Sequence, residues 1–172
     1  MGTELVKRDD EYIWASIFVN QINQEYGFDY ILVPESGENS PIDMYVESKS
    51  GEFEELKLQL THAIELPFIA YESSESADFS KKPTIDAIER KNEKLSKQGI
   101  NLNELILVVQ GYMDIETAQI TFADEAFEKY QHYDFKGIYY VAPPMMSDDT
   151  NESLQDGLVI AIKNAFSDVS SK

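Results

Sequence analysis

The chain has 172 residues, 42% of them hydrophobic, and it carries 32 acidic against 14 basic side chains, a net charge of −18. It contains no cysteine, which excludes disulfide bonds and thiolate metal sites and favours a reducing cytoplasm. No apolar run has the length of a membrane span, and residues 1–8 lack a signal-peptide pattern. We therefore expect one cytoplasmic globular domain over residues 1–172, with no membrane partner.

The charge is unevenly distributed along the chain. Residues 81–97 hold six basic and three acidic side chains, a local charge of +3, which leaves −21 for the remainder. A strongly acidic protein repels nucleic acid overall, but the local field steers a ligand more than the total charge does. Two interpretations of this basic segment stay open: a solvated helix face with mixed charges, or a surface that contacts a phosphate backbone.

The spacing of apolar residues, with glycine and proline at the boundaries, predicts alternating helices and strands. The predicted elements are, in chain order, a helix over 9–26, strands over 28–33, 41–46 and 54–60, a helix over 83–98, a strand over 105–109, a helix over 121–130, a strand over 137–141 and a helix over 149–166. The polar residues 72–80 predict a mobile loop near the end of the third strand. The late alternation of helices and strands implies crossover connections, and hence an α/β fold with a mixed central sheet flanked by helices on both faces.

The second and third predicted strands, joined by a turn over residues 48–51, form an antiparallel hairpin with one apolar face and one polar face. The apolar face carries Ile42, Met44 and Val46 on one strand and Leu56, Leu58 and Leu60 on the other. If the pairing is centred near Lys49, Asp43 lies directly opposite Glu55, with Cβ atoms about 5 Å apart. Two carboxylates at that separation destabilise the hairpin unless a cation or a proton intervenes, so we expect a divalent cation between them.

The order of a helix, three strands, a helix and a further strand resembles the αβββαβ core of the PD-(D/E)XK nuclease superfamily, the restriction-endonuclease-like fold. The matching residues are Asp43 and the run Glu55-Leu56-Lys57, twelve positions further on and on the following strand. The family's Pro-Asp pair is here Pro41-Ile42-Asp43, with one residue inserted. The resemblance covers about residues 9–110 and is one of pattern, not of close sequence identity.

The resemblance implies a metal-dependent hydrolase of phosphodiester bonds. Its ligands for Mg²⁺ or Mn²⁺ would be Asp43, Glu55 and the main-chain carbonyl of Leu56, and Lys57 would assist the attacking water. These roles agree with the preference of Mg²⁺ for few carboxylates, retained waters and a phosphate oxygen. They also agree with the increased acidity of a water molecule bound to such a cation.

Three further residues are candidates for the same site. Gln59 continues the polar face of the third strand, where the resemblance implies a polar residue lining the site. The family often carries a glutamate on its first helix, and Glu11 is the matching candidate, although an exposed helix acid is the more ordinary interpretation. For His62, just beyond the third strand, we favour a structural role over a catalytic one.

The predicted function is thus an endonuclease, for which we expect DNA, in preference to RNA, to be the substrate. With so little basic surface, it would need a homodimer or a partner subunit to hold DNA. The alternative is a catalytically inactive, acidic binding protein on the same fold, which binds a basic partner, mimics DNA or acts as an immunity protein does. In that case Asp43, Glu55 and Lys57 form only a solvated hairpin face with a weak ion pair.

Overall fold

A computed structural model describes residues 2–34, 42–63, 76–111, 115–122, 133–142 and 159–166 of the chain. Side chains are described in these ranges except at residues 2–11, 34, 76–82, 115, 117 and 121. The elements, in order, are α1 (Gly2–Tyr26), β1 (Tyr30–Pro34), β2 (Met44–Ser48), β3 (Leu56–His62), α2 (Ser76–Lys97), a 3-10 turn (Leu102–Glu104), β4 (Leu105–Gln110), α3 (Ile115–Phe122), β5 (Gly137–Val141) and β6 (Val159–Lys163).

The six strands in the described part of the chain form one mixed sheet in the order β1-β2-β3-β4-β5-β6. β1, β2 and β3 form an antiparallel meander, β3, β4 and β5 run parallel, and β6 returns antiparallel to β5. The parallel pairs are joined by crossovers that contain α2 and α3, as connections between parallel neighbours require. The predicted α/β class and mixed sheet are therefore confirmed.

The sheet separates two hydrophobic cores. On one face α1 packs through Phe18 and Ile22 against a layer that includes Leu58 and Val108. On the other face α2 contributes Ala87 and Ile88, and α3 contributes Ala118, to a core that includes Leu107 and Tyr140. β4 is buried along its whole length because helices cover both of its faces. The prediction of helices on both faces is confirmed.

Two sequence predictions are corrected. Residues 149–166 were predicted as a helix, but Val159–Lys163 is the edge strand β6, and the earlier part of the segment lies outside the described residues. The run Val159-Ile160-Ala161-Ile162 is rich in β-branched residues, and pairing with β5 satisfies its backbone along one side. The predicted mobile loop over 72–80 is wrong from residue 76, where α2 begins, and residues 72–75 lie outside the described residues. Pro83 therefore lies inside this helix and not at its start.

The remaining elements follow the sequence predictions with shifted ends. The predicted helix over 121–130 overlaps α3 at only two positions, and the part after residue 122 is not described. The first helix begins before residue 9, and the strand predicted over 28–33 is observed over Tyr30–Pro34. The described helices include none that is both long enough and apolar enough to cross a membrane.

Candidate functional site

The centre of the candidate site is a contact between Asp43, just before β2, and Gln59, in the middle of β3. Gln59 Nε2 donates a hydrogen bond of 2.9 Å to Asp43 Oδ2. The same carboxylate oxygen accepts a second bond, of 2.7 Å, from the backbone N–H of Leu60. Two N–H donors thus converge on one oxygen of the Asp43 carboxylate.

Strand register explains why these two residues meet. Met44 pairs with Leu58 and Val46 with Leu56, and Asp43 N donates to Leu58 O at 2.9 Å. Continuing this register by one residue brings Asp43 beside Gln59. Since the ladder ends at Met44, the N–H of Leu60 has no strand partner on that side, and the Asp43 side chain takes its place.

Gln59 points to the face of the sheet that α2 covers. Its register partner on β4 is Leu107, a member of the core beneath α2. The side chain is only 5% exposed, and its Oε1 atom is buried with no hydrogen-bond partner among the described residues. A buried acceptor without a donor costs about 1–3 kcal/mol, so this atom marks a place where a cation or a donor would be stabilised.

The predicted pairing of Asp43 with Glu55 is wrong. Glu55 precedes β3, is exposed, and lies four residues before Gln59, which corresponds to about 13 Å along an extended strand. The register extended in the other direction from Val46 brings Glu47, not Asp43, towards Glu55. The hairpin turn is longer than the sequence analysis assumed, and this shifts the pairing by four positions.

The set Asp43, Glu55 and the Leu56 carbonyl is consequently not assembled as a metal centre. The described part of the chain contains no group of three or more histidine, aspartate or glutamate side chains arranged to hold a metal ion. What the structure does bring together is the Asp43 carboxylate and the Gln59 carboxamide, whose nitrogen donates to Asp43 Oδ2. Carboxylate and amide oxygens suit a hard cation that keeps several of its waters.

Lys57 lies on the same strand face as Gln59, about 7 Å away along β3. Its Nζ lies 3.4 Å from Glu104 Oε2, a half-exposed ion pair that holds the ammonium near the start of β4. The lysine therefore shares a face with the Asp43–Gln59 pair but is turned towards the opposite end of the strand. The backbone of Glu11 lies within α1, and its side chain is outside the described part of the structure.

His62 belongs to a different environment. It is the last residue of β3 and, by strand alternation, lies on the α1 face of the sheet with Leu58 and Leu60. Its ring contacts that of Trp14, with ring centroids 4.8 Å apart and planes tilted by 57°. The sheet thus separates His62 from Gln59.

Sequence reasoning missed Gln110, which is the last residue of β4 and is only 3% exposed. Its Oε1 is the second buried side-chain oxygen that lacks a hydrogen-bond partner within the described ranges. The sequence feature that could have indicated it is a glutamine that directly follows the continuous apolar run 105–109.

The basic segment forms the outer part of α2. Arg90 and Lys94 are exposed, and Lys97 forms an i,i+4 pair of 2.8 Å with Glu93. This pairing supports the interpretation of mixed charges for part of the helix. α2 lies on the same side of the sheet as Gln59, and Arg90 and Lys94 are on the outer, solvent-exposed face of this helix.

Comparison of the chain with protein-family models, with curated proteins and with solved structures finds no match.

Proposed function

We propose that this protein is a metal-dependent phosphodiesterase whose cation is held by Asp43 and Gln59. The observation that carries the proposal is the buried Gln59 Oε1, which lacks a partner among the described residues although its own amide nitrogen bonds the Asp43 carboxylate. An anionic oxygen and an unsatisfied amide oxygen in one place form a site for a positive charge.

The order of the elements in the fold supports this assignment. The helix, three-stranded meander, helix and parallel strand formed by α1, β1, β2, β3, α2 and β4 have the order of the restriction-endonuclease-like core. We propose that the chain has this fold, with the first ligand of the resemblance, Asp43, retained and the second replaced by Gln59. A bound Mg²⁺ or Mn²⁺ would polarise a phosphate oxygen and increase the acidity of its water.

In this proposal Lys57 and the exposed cations of α2 bind the charged substrate. Lys57 supplies a point charge for a phosphate on the same face as Gln59. Arg90 and Lys94 offset, on that side of the sheet, the repulsion expected from a chain with a net charge of −18. DNA is the favoured substrate, and self-association or a partner subunit would extend the basic surface.

The test compares four proteins on plasmid and single-stranded DNA with Mg²⁺, Mn²⁺ or EDTA. Wild type should cleave only with metal, and Asp43→Asn and Gln59→Met should each lose at least about tenfold in rate. Glu55→Gln should keep the wild-type rate, because Glu55 is exposed and outside the pair. Melting curves for each variant separate loss of chemistry from loss of fold.

Calorimetric titration with Mn²⁺ provides a second readout that does not require the correct substrate. Wild type should release or absorb heat with saturation, and Asp43→Asn should not. If wild type neither cleaves nucleic acid nor binds Mn²⁺, the proposal is wrong. Cleavage that depends on Glu55 but not on Gln59 would contradict the ligand assignment and restore the one predicted from sequence.

A second candidate is a non-catalytic, acidic binding protein. Two observations favour it. The residue opposite Asp43 is an amide and not a carboxylate, and Asp43 already has a structural role because it accepts a hydrogen bond from the backbone N–H of Leu60. Its partner would be a basic protein surface, and its affinity should fall steeply as salt rises. Absence of both cleavage and Mn²⁺ binding would favour this candidate.

A further inference from the structure

A group of side chains lies on the opposite face of the sheet, at the carboxyl ends of the parallel strands. His62 ends β3, Gln110 ends β4 and Val141 ends β5, and Gln110 is the register partner of both of the others. Strand alternation places all three side chains on the α1 face, where Leu60 and Val108 precede them. In open α/β sheets, ligands bind beyond the carboxyl ends of such strands.

This edge of the sheet carries a hydrogen-bond acceptor, the Gln110 side-chain oxygen, beside aromatic rings. Gln110 is 3% exposed, and its Oε1 has no hydrogen-bond partner among the described residues. On the neighbouring strand, His62 is half-buried and contacts the ring of Trp14, which α1 supplies. One face of the sheet therefore combines an unsatisfied carboxamide oxygen with two aromatic rings that are each partly exposed.

We infer that this edge binds a planar, N–H-bearing heteroaromatic group of the kind that a nucleobase presents. An N–H of the ligand would donate to Gln110 Oε1 and satisfy the buried acceptor. The flat ring would stack on Trp14 or His62, because aromatic side chains stack on bases of any sequence. The inference does not depend on the phosphodiesterase proposal, since Asp43 and Gln59 lie on the other side of the sheet.

The chain provides its own reporter for the test. Trp14 is the single tryptophan of the sequence, so fluorescence excited selectively at tryptophan, and not at the ten tyrosines, reports on this edge. We would titrate the full chain with adenosine, guanosine, cytidine and uridine, which are uncharged and therefore not repelled by the acidic protein. At least one nucleoside should change the Trp14 emission with saturation.

The contribution of the amide is tested with matched variants. Gln110→Met conserves volume but removes the acceptor, and should weaken nucleoside binding at least about tenfold. Gln98→Met makes the same chemical change at an exposed position and should bind as wild type does. For wild type, adenosine should bind more tightly than N6,N6-dimethyladenosine, which lacks the exocyclic N–H. If guanosine is the nucleoside that binds, it should bind more tightly than an analogue in which methyl groups replace the N–H that donates to Gln110.

Two results would overturn the inference. The first is an unchanged Trp14 emission with all four nucleosides, which would mean that a buried water alone satisfies Gln110. The second is equal binding by wild type and Gln110→Met together with equal affinity for methylated and unmethylated nucleosides. The methylated probes need only the wild-type protein, so they decide the question even where Gln110→Met fails to fold.

Discussion

Asp43 Oδ2 and Gln59 Nε2 lie 2.9 Å apart at the point where the pairing of β2 with β3 ends. The same oxygen accepts the N–H of Leu60, so one carboxylate closes the hairpin and holds a buried amide in place. The contact is at once a structural cap and the centre of the candidate cation site. Both roles give measurable consequences.

The first prediction concerns the structural role of Asp43. Asp43→Ala removes the acceptor of two hydrogen bonds made to a charged group and leaves buried donors unpaired. The free energy of unfolding should fall by about 2–4 kcal/mol. Asp43→Asn, whose amide oxygen can still accept, should lose less. Urea unfolding measures both, and equal stability of Asp43→Ala and wild type would show that these bonds contribute nothing net.

Glu55→Gln tests the strand register. If Glu55 stood opposite Asp43, the substitution would relieve repulsion and raise the melting temperature in the absence of metal. The observed register keeps the two acids apart and leaves Glu55 exposed. We therefore expect a change within about 0.5 kcal/mol, as for other exposed positions. A rise of several degrees in metal-free buffer would show that a facing carboxylate repels Glu55, either Asp43 as predicted from sequence or Glu47, which the observed register brings towards it.

Gly111 and Tyr140 give a packing prediction. A Cβ built on Gly111 would lie 2.3 Å from Tyr140 Cε2 and 2.5 Å from its hydroxyl oxygen. Tyr140 is fully buried, and in a close-packed interior its ring can move only at the expense of its neighbours. Gly111→Ala should therefore cost about 1–3 kcal/mol of stability.

A double-mutant cycle provides the control for Gly111. In a Tyr140→Leu background the clash is removed, so the added methyl group should cost much less than in wild type. Equal costs in both backgrounds would mean that the methyl group meets no resistance from the tyrosine ring. Denaturant unfolding of the four proteins gives the coupling free energy.

The ionisation of Tyr30 makes the free energy of unfolding depend on pH in the alkaline range. Burial, reinforced by the nearby Glu54 and Asp29 carboxylates, raises the pKa of Tyr30 to about 12 from an ordinary value of 10.0. The hydroxyl donates a bond of 2.7 Å to Glu54 O, which the neutral form preserves. Because the pKa of Tyr30 is raised in the folded state, folding favours the neutral hydroxyl. The stabilisation that this neutral group provides is complete below pH 10.0 and is lost as pH rises towards about 12.

The corresponding variant is Tyr30→Phe. It should be less stable than wild type at pH 8, because the hydrogen bond to Glu54 O is lost, and the difference should shrink at pH 11. Urea unfolding at the two pH values measures this. A difference that stays constant or grows with pH would contradict a raised tyrosine pKa.

The strand face on which a residue lies was predictable where it depends only on residues nearby in the sequence. Alternation in the hairpin correctly assigned Leu56, Leu58 and Leu60 to one buried face, and the continuous run 105–109 correctly indicated a strand covered on both sides. Residues 159–163 were mispredicted because an apolar pattern in a short segment fits a helix or a strand equally well. Pairing with β5 decided between them.

The sequence by itself determined the α/β class, the hairpin and the position of Asp43 on the polar face of that hairpin, since these follow from periodicity and turn composition. Only the tertiary structure decided which residue faces Asp43. A shift of four positions in register keeps every side chain on its own face, so alternation cannot distinguish Glu55 from Gln59 as the partner. The length of the turn and the packing of β3 against β4 select the observed register, and with it an amide in place of the expected carboxylate.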